Sequence, residues 1–440
     1  MRTSDDFLSV CRELLQSLAG LALIICVAGC STQMADVVEQ SGSTSTGLGA
    51  DHFTQPQPKA GISSLLYVTD RAPITKADGA LSYGSERAMF LSFGSVSIQR
   101  KSVPSAWRVG SVSEIGRFPT APYVLEATAN GLRRTPMAIK AHEQAAAALR
   151  AEISSRLGQA RRKEVVVFIH GYSSRFENAA LATDEICRSL RNEFVCVILT
   201  WPAGGSGGSF FGYNIDRESS EFAVADFKKA IRIIAGTEGL ERLHLLAHSR
   251  GTDVLATVIQ QLAIEAYVSR SSLWKRYKIA NAVFFAPDID LDVASSKLFA
   301  WVSDPDLAFG PTPSPSVLPA QGAMHLTVYS SRSDEALKAS TLLFGSALRL
   351  GQLAIGHLPR NKNEVVSKWT GSHMGGLVDF IEFSGHGDLI GHSYFLSNQK
   401  VRADLVALIR GQVKAGDPRR QLIEIMRPFW QISDVERSTR

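Results

Sequence analysis

The chain has 440 residues, 45% hydrophobic and 20% charged, a globular balance with too much material for a single small domain. Its 47 basic residues against 42 acidic ones leave a formal charge of +5 with no long run of like charges, so no nucleic-acid partner is expected. Of the five cysteines, Cys11, Cys26 and Cys30 lie in or beside the first apolar segment; this excludes a disulfide scaffold, and Cys187 and Cys196 read as buried free thiols in preference to a bridge, which an oxidising compartment would permit.

Ser17 to Gly29 is an apolar stretch too short to span a bilayer but of signal-peptide length, and it ends in Val27-Ala28-Gly29-Cys30. Small residues before a cysteine resemble the lipobox of bacterial lipoproteins. That resemblance implies a signal peptide over 1–29, lipid attachment at Cys30, and a periplasm-facing protein held to the cell envelope by its anchor. Asp5, Asp6 and Glu13 beside Arg2 and Arg12 depart from the positively charged start such a signal should have. Residues 30–60 are polar and Pro/Gly-containing, the composition of a flexible tether.

Residues 61–160 read as a β-rich N-terminal extension packed on the main domain. Leu65 to Thr69 is strand-like, Gly94 to Ile98 alternates, and Met137 to Leu157 has helical spacing. From 161 to 415 strands and helices alternate. The strands are continuous apolar runs: Val165 to Ile169, Val195 to Leu199, Leu243 to Leu246, Ile279 to Phe285, Leu326 to Tyr329 and Val378 to Phe383. Such runs are buried on both faces, which predicts an α/β fold with a mostly parallel sheet, helices on both sides, and ligands beyond the carboxyl ends of the strands. Residues 299–324 form either a flap over that end or a surface connection, and 416–440 is a C-terminal tail without an assigned role.

Ala247-His248-Ser249-Arg250-Gly251 follows one of these runs and precedes a helical pattern. It is the G-x-S-x-G nucleophile elbow of the α/β-hydrolase fold with Ala at the first position, where the sharp turn tolerates only small side chains. Ser249 is the expected nucleophile; the bland reading is a helix cap. A serine hydroxyl needs a base oriented by a carboxylate, and in this fold the chain order is Ser, acid, His. Asp334 after Leu326 to Tyr329 is the expected acid, with Asp288 (or Asp290) as the alternative and helix capping as the bland role. His386 and His392 both fall in the loop after Val378 to Phe383, and position alone does not separate them. The amides of Tyr172 and Arg250 are the expected oxyanion donors, with His170 and His248 as supporting groups.

Several segments in order resemble a family of uncharacterised bacterial α/β-hydrolases grouped with esterases and lipases. They are Val68-Thr69-Asp70-Arg71-Ala72-Pro73, Val167-Phe168-Ile169-His170-Gly171-Tyr172, Thr200-Trp201-Pro202, Tyr213-Asn214-Ile215-Asp216-Arg217-Glu218-Ser219, the elbow, Ala286-Pro287-Asp288-Ile289-Asp290, Ser333-Asp334-Glu335-Ala336-Leu337 and Gly391-His392-Ser393-Tyr394. The likeness covers roughly 62 to 410. It implies that the base is His392 and that the N-terminal extension belongs with the hydrolase domain. Arg250 departs from the apolar residue usual after the nucleophile; it would either pair with a nearby carboxylate or draw anionic substrates. The function expected from the triad is a serine hydrolase working through an acyl-enzyme, a carboxylesterase in preference to a lipase, for a small-molecule or lipid ester and with no metal or organic cofactor; the resemblance supplies no substrate. The competing expectation is a lipid-anchored binding or envelope protein that keeps the fold without turnover.

Overall fold

The computed structural model describes residues 62–100, 107–205, 208–300, 324–345, 348–354, 377–385 and 391–433. Cys30, the expected signal peptide and tether, His386 and residues 301–323 of the expected flap lie outside them. Strands β1 (Ile62–Thr75), β2 (Leu81–Arg100) and β3 (Trp107–Arg117) come first, then a hairpin of β4 (Leu125–Thr128) and β5 (Gly131–Arg134). There follow β6 (Glu164–Ile169), β7 (Val195–Thr200), β8 (Arg242–His248), β9 (Ile279–Phe285), β10 (His325–Ser330), β11 (Val378–Ser384), β12 (Ile423–Met426) and β13 (Phe429–Ser433). All but the hairpin join one sheet in the order β12-β13-β11-β10-β9-β8-β6-β7-β1-β2-β3.

The six expected apolar runs are the central parallel strands of this sheet, and β6 and β7 are buried along their whole length. Side chains alternate between two cores, one on each face: Val165, Val167 and Ile169 enter the first, Val166 and Phe168 the second. The longer helices cover both faces. They are α1 (Pro136–Gln159), α2 (Phe176–Ser189), α3 (Gly208–Ala235), α4 (Gly251–Val268), α5 (Glu335–Phe344) and α6 (Gln399–Ile409). Leu149 of α1, Phe227 of α3 and Leu255 of α4 enter the first core, Ile186 of α2 and Leu405 of α6 the second. In α1, Pro136 opens the helix and the Thr135 hydroxyl caps it by accepting from the Ala138 N–H, while Ala145, Leu149 and Ile153 repeat every fourth residue on the buried face. Truncating one such residue, as in Leu149→Ala, would cost about 2–5 kcal/mol.

Three expectations are corrected. Residues 61–160 do not simply pack on the hydrolase domain: β1 pairs in parallel with β7, Thr69 beside Thr200, and β2 and β3 continue the same sheet antiparallel. Nor does the sheet end at β11, because the expected tail supplies β13, parallel to β11 with Phe380 beside Phe429, and β12 at the edge. Cys187 and Cys196 are bridged and not free: the last turn of α2 folds back onto the start of β7, bringing their Cα atoms to 6.5 Å, within disulfide range.

Candidate active site

β8 ends at His248 and α4 begins at Gly251, so Ser249 occupies the turn between them with φ +52, a left-handed backbone that a non-glycine residue adopts only when its surroundings force it. Those surroundings are hydrogen bonds: Ser249 N–H donates to the Phe285 carbonyl at 3.0 Å, and its own carbonyl accepts from the Thr252 and Asp288 amides at 3.0 and 3.2 Å. Two glycines permit the close approach around it. A Cβ on Gly171 would stand 2.7 Å from that of Ser249, and one on Gly251 would run into the His170 carbonyl. The loop after β6 therefore lies directly against the elbow.

Asp334, at the end of the turn after β10, uses its two oxygens for two tasks. Oδ1 caps α5 by accepting from Leu337 N–H at 3.0 Å, and Oδ2 accepts from His392 Nδ1 at 2.7 Å. One carboxylate thus caps the helix and contacts His392 at once. Gly391, with φ +67, brings the histidine's loop against the acid's; a Cβ there would meet the Ser333 carbonyl at 3.0 Å. Asp334 and His392 are both buried. His392 also lies against the elbow, since the His248 ring is 4.6 Å from its ring and His248 Nε2 donates to its carbonyl at 3.2 Å. Burial, then the neighbouring His392, hold the His248 pKa well below the usual histidine value, so His248 is a neutral strut for the loop of His392.

The alternative acid is engaged elsewhere. Asp288 accepts from Tyr213 Oη at 2.6 Å and Ser340 Oγ at 2.7 Å, with the Arg349 guanidinium 3.4 Å away. Burial alone would raise its pKa, but Arg349 and the two hydroxyls outweigh it and keep the carboxylate ionised. Asp290 caps the short helix Leu291–Ser295.

On the other side of the elbow, Tyr172 follows Gly171, and its ring lies 5.0 Å from that of Tyr213 on α3. His170 supports this loop: Nδ1 donates to the Gly171 carbonyl at 2.9 Å, Nε2 accepts from Trp201 N–H at 3.1 Å, and the ring stacks on Trp201. Burial and the adjacent Arg71 keep it neutral. Arg250 has helical backbone at the start of α4, and its guanidinium pairs with Asp253 at 2.8 Å and Glu221 at 3.3 Å, the carboxylate pairing weighed for it. A cavity of about 420 Å³ opens beside it, lined by Tyr213, Arg217, Arg250, Asp253, Asp292 and Arg349 among others.

Two residues near the Tyr172 loop had no assigned role in the sequence. Asp216 of α3 is buried; desolvation raises its carboxyl to about 6 although the Ser173 and Gly204 amides donate to it. Arg71 of β1 is likewise buried, and desolvation lowers it to about 10. The only signal for either was a place in the Val68 to Pro73 and Tyr213 to Ser219 segments. Among the described residues, no group of three or more His, Cys, Asp or Glu is arranged to hold a metal ion, and no helix is long and apolar enough to cross a membrane.

The sequence pattern of the family described as alpha/beta hydrolase of unknown function (DUF900) matches residues 145–410, more than half of the chain. The chain belongs to that family. No curated protein matches it in sequence. Among solved structures it is similar to a hyperthermophilic esterase from the archaeon Pyrobaculum calidifontis, at 11% identity over 92% of this chain and 97% of that one, with a TM-score of 0.33. It is also similar to the carboxylesterase CesB from Bacillus subtilis, at 10% identity over 61% of this chain and 75% of that one, with a TM-score of 0.20. As a DUF900 α/β-hydrolase, the chain carries its Ser249 elbow, Asp334 and His392 inside the matched segment, whereas Arg71 lies before it.

Proposed function

We propose that the protein is a serine hydrolase that cleaves carboxylic esters through Ser249, His392 and Asp334. The observation that carries this reading is the 2.7 Å bond from His392 Nδ1 to Asp334, made beside a serine held at positive φ. A histidine that donates through Nδ1 to a carboxylate has its Nε2 lone pair available as a base. In the proposed reaction Nε2 takes the Ser249 hydroxyl proton as Oγ bonds to the ester carbonyl carbon, and the oxyanion so formed accepts hydrogen bonds from the Tyr172 and Arg250 amides. The carbon–oxygen bond to the alcohol breaks, and the alcohol leaves with the proton from His392. Water then attacks the acyl-enzyme, giving a proton back through His392; the acid departs and Ser249 regains its hydroxyl.

The preference for a short ester rests on the charged side of the cavity beside Arg250, where Arg217, Arg349, Asp253 and Asp292 stand opposite only Ile289 and Val293 as larger apolar residues. A series of p-nitrophenyl esters of increasing chain length tests both parts. Ser249→Ala should lower kcat by about 10⁴ to 10⁶ and Asp334→Asn by about 10⁴, with short esters preferred in the wild type. Full activity in Ser249→Ala would end the serine-hydrolase reading; a preference for long chains would end only the substrate part.

A further inference from the structure

We propose that Asp216 and Arg71 are positioning residues that fix the Tyr172 loop as an oxyanion donor. The inference rests on the serine-hydrolase reading. In the loop after β6, Ser173 sits at φ +55, an unfavourable conformation for serine that its surroundings must hold. Two buried side chains from different elements tie it to the segment after β7. Asp216, from α3, accepts with one oxygen from the amides of Ser173, at 2.8 Å, and Gly204, at 3.3 Å. Arg71, from β1, gives the complementary set: Nη2 donates to the Ser174 carbonyl at 2.6 Å and lies 3.2 Å from His170 Nε2, Nη1 donates to the Ala203 carbonyl at 3.0 Å, and Nε donates to Thr200 Oγ1 at 2.8 Å. The loop is thereby pinned on both sides of Tyr172, at His170 before it and at Ser173 and Ser174 after it.

The energetics favour a geometric role over filling of space. A buried ion costs several kcal/mol in lost hydration, which a direct ion pair would partly return. Among the described residues Arg71 makes none, although the Asp70, Asp216 and Glu177 carboxyl groups act on it at longer range: its hydrogen bonds go to two loop carbonyls, the Gly84 carbonyl, a threonine hydroxyl and a neutral histidine. An apolar side chain of the same size could fill the space, but it could not dictate where the Ser174 and Ala203 carbonyls point. Oxyanion donors act only when preorganised to within tenths of an ångström, which is what such a double tether supplies.

The test compares wild type with Asp216→Asn, Asp216→Ala and Arg71→Lys on a short p-nitrophenyl ester, and measures inhibition by an alkyl boronic acid that forms a tetrahedral anion on the serine. One lost oxyanion donor lowers kcat about 10² to 10³. We expect Asp216→Ala to approach that range and Asp216→Asn, which keeps an acceptor, to lose about tenfold. KM should stay within about twofold, and boronate affinity should fall in step with kcat, because both read the oxyanion. Unchanged kcat in the folded Asn and Lys variants overturns the proposal, as does a loss explained by a smaller folded fraction whose remaining sites bind boronate like wild type. If Asp216→Ala does not fold, the Asn and Lys variants decide. Should the wild type fail to react with a fluorophosphonate at Ser249, the serine-hydrolase reading fails and takes this one with it; normal labelling with indifferent Asp216 variants removes this one alone.

Discussion

Arg71 on β1 and Arg420, in the turn after α6, are buried alike at 1% and 2% exposure, and both lie outside the segment 145–410 that carries the family pattern. Their partners differ. Arg420 meets Asp404 of α6 in a two-pronged pair, both bonds 2.8 Å, and Tyr329 Oη donates to the same carboxylate at 2.6 Å. This unit ties the turn before β12 to α6 and β10, and Arg420 Nη1 also lies 3.9 Å from Asp379 of β11. Arg71 meets carbonyls of the loops that frame the elbow. Burial of a charge is thus no guide to its purpose; what the charge holds is. One arginine joins packed elements side chain to side chain, and the other reaches the backbone of the loops at the candidate site.

The largest effect that would sharpen this contrast is on stability. Arg420→Met leaves the Asp404 carboxylate buried without its cation and should cost about 3–5 kcal/mol in urea unfolding, while kcat per folded molecule stays at the wild-type value. Replacing Asp404 with Leu in the same chain should return part of the loss, since a buried pair exchanged for apolar groups is close to neutral but the Tyr329 hydroxyl is left without its acceptor. A fall in kcat with stability intact would break the contrast.

A smaller effect belongs to the N-terminal edge. Asp70 on β1 is fully buried, neither of its carboxyl oxygens has a hydrogen-bond partner, and desolvation, aided by Asp226, raises its pKa well above the ordinary carboxylate value. The folded state therefore binds this proton more tightly than the unfolded state. The stability it contributes is fully present below the unfolded carboxylate pKa and is lost as pH rises through the folded one. Unfolding free energy should fall in that window by up to about 1.4 kcal/mol per pH unit. Asp70→Asn should remove this component of the slope and be more stable than wild type at alkaline pH. An unchanged slope would show that Asp70 carries no such burden.

Much of this was legible in the sequence because it depends on local patterns. Continuous apolar runs marked the parallel strands, Ala247 and Gly251 around Ser249 marked the elbow, and the strand-end positions of Asp334 and His392 marked their loops. Choosing His392 over His386 took the resemblance to a family, since two histidines in one loop look alike to any positional rule. What stayed hidden depends on contacts distant in sequence. Nothing local says that β1 joins β7, or that the short segments Ile423–Met426 and Phe429–Ser433 complete the opposite edge. The Cys187–Cys196 bridge was missed because a helix and a strand nine residues apart give no sign of how the intervening turn folds back. The roles of Asp216 and Arg71 stayed hidden for a related reason: most of their partners are backbone groups, which leave no mark in side-chain identity.

The central claim is best tested by locating the covalent adduct after the folded wild type reacts with a fluorophosphonate. One phosphonyl group should appear, mapped by peptide mass to Ser249, and it should fail to form at a comparable rate in His392→Ala. A folded protein that gains no adduct, or gains it with undiminished rate when His392 is gone, would contradict the account.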